Sequence, residues 1–70
     1  MFRELPAAVQ QTAARSISLA ASYPKMYPVR RRGVMEGYRY FRAKDYLFYY
    51  SSAGEELRIA AIIPGRMERA

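Results

Sequence analysis

Gly37-Tyr38-Arg39-Tyr40-Phe41-Arg42-Ala43-Lys44-Asp45-Tyr46-Leu47-Phe48-Tyr49-Tyr50-Ser51-Ser52-Ala53-Gly54-Glu55-Glu56-Leu57-Arg58-Ile59-Ala60-Ala61-Ile62-Ile63-Pro64-Gly65-Arg66 decides how this chain folds. Aromatic residues crowd into two runs of strand length, and a third run is rich in isoleucine. Short polar segments separate them, Ala43-Lys44-Asp45 first and Ser51 to Glu56 second. Such residues suit a pleated, half-buried surface, and the punctuation suits turns. The pattern predicts a three-stranded antiparallel meander with strands at about 37–42, 46–51 and 57–63.

Register follows from the first loop. A three-residue loop over Ala43–Asp45 sets Arg42 opposite Tyr46, Tyr40 opposite Phe48 and Tyr38 opposite Tyr50. It gathers Tyr38, Tyr40, Phe48 and Tyr50 on the face that a helix can cover. The other face then pairs Phe41 with Leu47 and Arg39 with Tyr49. A two-residue loop would flip part of this assignment. In the third run Ile59, Ala61 and Ile63 alternate with Arg58, Ala60 and Ile62. Both sets are partly apolar, which predicts a strand that is central or covered on both sides.

Upstream, Leu5 precedes Pro6, and the residue before a proline is pushed out of helical geometry. Pro6 suits the first helical position. Leu5, Val9, Ala13, Ile17 and Ala20 mark one face of a helix over about 6–22, with Gln11, Arg15 and Ser18 opposite. Tyr23-Pro24 ends it. Residues 23–36 read as an ordered connection with Tyr23, Met26, Tyr27 or Val29 tucked against the core, and Gly33 permits a turn. The fold class is therefore α+β, one helix packed on a three-stranded antiparallel meander, within a single domain over residues 1–70.

The chain has 70 residues, no histidine and no cysteine. No disulfide or thiolate metal site can form, and the commonest general base is missing. No cofactor and no metal are called for. The cysteine content suits a cytoplasmic protein. No apolar run approaches the ~18–20 residues that span a bilayer, and no signal peptide is expected at the N-terminus. The formal charge is +6, from twelve basic and six acidic residues. Half of the basic residues, Arg30, Arg31, Arg32, Arg39, Arg42 and Lys44, lie between 30 and 44. Such a cluster suits nucleic acid, an acidic protein partner or an anionic membrane surface, and arginine favours bidentate contacts to phosphate or carboxylate.

Gly37-Tyr-Arg-Tyr-Phe41, Lys44-Asp-Tyr-Leu-Phe-Tyr-Tyr50 and Leu57-Arg-Ile-Ala-Ala-Ile-Ile-Pro-Gly-Arg66 together resemble the C-terminal sheet of the RelE/ParE toxins of bacterial toxin–antitoxin systems. The preceding helix and the Tyr-Pro segment with its basic stretch resemble that family too. The family's usual N-terminal strand and helix have no counterpart here, so a truncated toxin or an inactive remnant is also considered. The resemblance implies an antitoxin partner, and a homodimer through an exposed sheet edge is a further expectation. The apolar Phe41 and Leu47, at sheet-face positions where ribonuclease members carry cations, resemble the ParE branch, whose members bind DNA gyrase and are not enzymes.

The alternative is a RelE-type endoribonuclease acting on messenger RNA at the ribosome through Arg39, Arg42, Lys44 and Arg66. For either target, Arg30, Arg31, Arg32, Arg39, Tyr49 and Arg66 are the candidate binding residues. Arg39 and Arg66 are expected on one surface. Arg39 stacked on Tyr49, and a Tyr49 that merely packs, are the plainer expectations for those two side chains.

Overall fold

The computed structural model describes residues 2–54 and 56–68; Glu55, within the expected 51–56 loop, lies outside them. A 3-10 turn at Phe2–Glu4 leads into helix α1, Ala7–Ser22. Pro6 stands at the N-cap and not at the first helical position: its ψ of 148° is extended, and its carbonyl accepts the Val9 and Gln10 amides. Gln10 Nε2 donates back to the Leu5 carbonyl at 2.8 Å and ties the entering turn to the helix. The helix ends where expected, with the Tyr23 amide on the Leu19 carbonyl.

The sheet is an antiparallel meander of β1 (Arg39–Ala43), β2 (Tyr46–Ala53) and β3 (Glu56–Pro64), in that spatial order. The second and third strands run longer than expected. The first starts later, because Gly37 takes a φ of +93° in the turn before it. Helix on one face of an antiparallel sheet is the expected α+β arrangement.

The register differs from the expected one. The first hairpin closes on two residues, Lys44 and Asp45, so Ala43 faces Tyr46, Arg42 faces Leu47, Phe41 faces Phe48, Tyr40 faces Tyr49 and Arg39 faces Tyr50. A two-residue loop needs left-handed backbone, and Lys44 supplies it with a φ of +57°. Moving the pairing by one residue exchanges the faces of β1, while Phe48 and Tyr50 of β2 face the helix as expected. Phe41, Ala43, Phe48 and Tyr50 lie beneath α1, while Tyr40 and Tyr49 lie on the outer face. Tyr38 precedes the strand.

The helix face is the one its spacing marks. Val9, Ala13 and Ala20 are buried against Phe41, Ala43, Phe48 and Tyr50, with Leu5 and Ile17 half-buried beside them. Ala13 and Ala20 are fully buried and let the backbone of α1 come close to the aromatic layer. Phe41 and Phe48 stack at 5.0 Å, and Phe2 meets Phe48 edge-on at 6.3 Å.

β3 is an edge strand, neither central nor covered on both sides. Its double apolar pattern has another cause. Tyr49 faces Ala61 but Tyr50 faces Ile59, so Ala60 bulges out of the ladder. The bulge switches the alternation, and Ile62, Ile59 and Leu57 all fall on the helix side despite their mixed spacing. The outer edge of β1 is partly paired instead. Val29 bridges Arg39, the Arg30 amide donates to the Tyr38 carbonyl at 2.7 Å, and the Tyr40 amide donates to the Pro28 carbonyl. The 23–36 connection thus returns along β1. Of its four candidate core residues only Tyr27 packs inward, 5.3 Å from Phe41; Tyr23, Met26 and Val29 stay exposed.

Candidate functional site

The sheet register distributes the arginines. Arg42 projects on the outer face beside Leu47, and its Nη2 lies 2.8 Å from where a Cβ on Gly65 would stand. A side chain at Gly65 would have to displace that guanidinium. The Gly65 amide donates to the Asp45 carbonyl at 2.6 Å, which fastens the end of β3 to the first hairpin. Arg66 follows directly and shares a hollow with Asp45, Tyr46 and Pro64. Arg42, Lys44 and Arg66 therefore lie at one exposed end of the sheet, and their side chains have no hydrogen bond or ion pair among the described residues.

Arg39 is elsewhere. It faces Tyr50, whereas the strand end before Arg66 faces Tyr46. The stretch from Tyr46 to Tyr50 spans roughly 13 Å of strand. Arg39 also points to the helix side, away from Tyr49, so no stacking on that ring occurs. Its Nη1 donates to the Tyr27 carbonyl at 2.6 Å and the Lys25 carbonyl at 3.4 Å. The common surface expected for Arg39 and Arg66 is absent, and so is a single cluster of Arg39 with Arg42, Lys44 and Arg66. The one-residue change of register turns Arg39 to the helix side, and the length of strand between Tyr46 and Tyr50 separates it from Arg66.

Tyr49 is fully buried and cannot offer its ring to a base. It packs on Tyr40 at 5.6 Å, and its hydroxyl accepts a 3.3 Å hydrogen bond from Arg30 Nη1. Arg30 is half-buried by this contact and folds back on the connection through Nε to the Arg32 carbonyl. Arg31 and Arg32 are the exposed pair of that triplet. Phe41 is buried beneath α1, so the expected apolar sheet-face pair reduces to Leu47 alone. Arg58 is held by Glu56 at 3.0 Å, with both side chains largely exposed, an ion pair of small energetic weight.

Lys25, Ser51 and Ser52 were not singled out from the sequence. They meet because the connection passes the far end of β2, where they line a cleft with Arg39 and Tyr50. Nothing in their local spacing signals this. Tyr50 is fully buried, and its hydroxyl donates to the Pro24 carbonyl at 3.1 Å. Burial raises its pKa above the ordinary 10.0; the Arg39 charge opposes this, and Tyr27 adds to it.

A phenol with a raised folded-state pKa contributes stability that is intact below the ordinary value and is lost as pH rises through the folded one. The urea midpoint is therefore expected to fall as pH climbs above 10.0. Tyr50→Phe is expected to start lower by about 0.5–1.5 kcal/mol, from the lost hydrogen bond, and to lose less over the same rise. Parallel slopes for the two proteins would contradict this account of Tyr50.

Among the described residues, no helix is long and apolar enough to cross a membrane. No family model, no curated protein and no solved structure matches the chain.

Proposed function

We propose that this chain is the toxin of a bacterial toxin–antitoxin system of the RelE/ParE kind, acting by binding a target such as DNA gyrase and silenced by an antitoxin. The resemblance of residues 37–66 supplies the class. The observation that carries the binding mode is the exposed corner of Arg42, Lys44 and Arg66, flanked on the outer face by Leu47. Unpartnered cations beside an apolar surface suit an acidic macromolecular partner. Arg31 and Arg32 extend the positive surface along the connection. An antitoxin segment has an available edge in β3, whose outer side is unpaired among the described residues. A second copy of the chain is the other candidate for that edge. The site of action proposed is the cytoplasm.

Expression in a bacterial host is expected to arrest growth and accumulate gyrase-linked DNA breaks. The double variant Arg42→Ala with Arg66→Ala is expected to relieve the arrest while keeping the far-ultraviolet spectrum. Normal growth with unaltered supercoiling would reject the proposal.

The same corner favours one second function, ribosome-dependent cleavage of messenger RNA. Three cations can stabilise a pentavalent phosphate. Arg39, anchored at the other end of β1, would take no part. A toeprint assay separates the two: codon-specific cuts abolished by Arg66→Ala would establish cleavage, and intact messages on translating ribosomes would remove it.

A further inference from the structure

Arg39 is fixed through one nitrogen only. Nη1 is spent on the Tyr27 and Lys25 carbonyls, while Nε and Nη2 have no partner among the described residues. A guanidinium held in this way has lost its rotamer freedom before any ligand arrives. It lines a cleft of about 310 Å³ between the Pro24-Lys25 turn and the end of β2. Lys25, Ser51 and Ser52 line the same cleft, and none of their side chains has a hydrogen bond among the described residues; Ser52 pairs with Leu57 on the face that Tyr50 occupies, whereas Ser51 alternates to the other face. The floor is Tyr50, whose hydroxyl is committed to the Pro24 carbonyl and whose raised pKa keeps it neutral. No described residue lining the cleft is acidic.

We propose that this cleft binds a terminal phosphate, the dianion of a small phosphomonoester, through Arg39, Lys25 and the hydroxyl of Ser52. A carboxylate has two oxygens, which one arginine fork satisfies. That would leave the Lys25 ammonium and the Ser52 hydroxyl without a role. A terminal phosphate presents three oxygens and about two charges, matching two cations and one neutral donor. The volume is that of a small-ligand site, large enough for the phosphate and the first part of its carrier. The cleft lies at the opposite end of the sheet from Arg42, Lys44 and Arg66, and its role does not depend on the function proposed for that corner.

The test is titration of the full chain, at fixed ionic strength, with inorganic phosphate, adenosine 5′-monophosphate, adenosine and the dinucleotide ApA, which has no terminal phosphate. Amide chemical shifts report the site. Phosphate and the monophosphate are expected to give saturable shifts at Lys25, Arg39, Ser51 and Ser52, and adenosine none. Lys25→Ala is expected to weaken phosphate binding about tenfold, the loss of one charge-assisted contact. Arg39→Gln is expected to abolish it. Because Arg39 also anchors the connection, Lys25→Ala and Ser52→Ala, at exposed positions, test the cleft if Arg39→Gln fails to fold. Non-saturating shifts, shifts centred on Arg30–Arg32 or on Arg42 and Arg66, or unchanged binding in Lys25→Ala would overturn the proposal. ApA binding as tightly as the monophosphate would also overturn it, in favour of a nucleic-acid backbone.

Discussion

Phe48→Ala is expected to remove from about a third to all of the chain's folding free energy. Phe48 is fully buried at the middle of β2, the central strand. One side of its ring stacks on Phe41 at 5.0 Å, and Phe2 meets it at 6.3 Å. Truncating a buried phenylalanine costs about 3–5 kcal/mol, part from lost transfer and part from the cavity. A chain of this length holds roughly 3.5–10 kcal/mol in total, and small domains bury the smallest share of their surface. The two magnitudes overlap. Urea titration followed by far-ultraviolet circular dichroism should show the midpoint collapsing toward zero denaturant. Phe48→Leu refills most of the space and should retain a cooperative transition. A loss below about 1.5 kcal/mol in Phe48→Ala would mean that the layer between α1 and the sheet is not the core.

The contrast between what the sequence announced and what it concealed has one physical root. The helix was legible because Val9, Ala13, Ile17 and Ala20 repeat with a period that only one helical face satisfies. The strands were legible by composition, and Phe48 and Tyr50 of β2 face the helix as expected, but the face of β1 was not legible, since a period of two gives an answer only when one face is polar. Here aromatics occupy both: Phe41 and Phe48 inside, Tyr40 and Tyr49 outside. The loop that could have decided the matter, Lys44-Asp45, lacks the glycine or asparagine that usually flags left-handed backbone, so its two-residue length was hidden. Ala60 concealed the edge position of β3 in the same way, because a bulge breaks the alternation without leaving a residue-type signature.

Each misjudged face moved candidate residues with it. The one-residue change of register carried Phe41 inward and turned Arg39 to the helix side, away from Tyr49. What remained readable was the local basic density, which the structure divides between a corner built on Arg42 and a cleft built on Arg39. The grouping of Lys25 with Ser51 and Ser52 depends on a connection that returns along β1 through backbone hydrogen bonds. Backbone bonds can be made by any sequence without proline at the donor, so no side chain advertises them.

Ala13→Leu is expected to be nearly as damaging as truncating the core, for the opposite reason. Ala13 is fully buried in the middle of α1, facing the aromatic layer. Three added carbon atoms have no space there, so the helix must lift from Phe41 and Phe48 or those rings must leave their stacked arrangement. Overpacking of this kind costs about 1–3 kcal/mol and occasionally more. Leucine is almost as good a helix former as alanine, so any loss cannot come from the helix itself. Ala14, the next residue, is exposed, and Ala14→Leu adds the same atoms to water with little expected change. Urea midpoints of the two variants, measured side by side, isolate the seating of α1 on the sheet. Equal midpoints would show that the helix does not rest on this face, and the burial of Phe41, and with it the outward position of Arg42, would have to be given up.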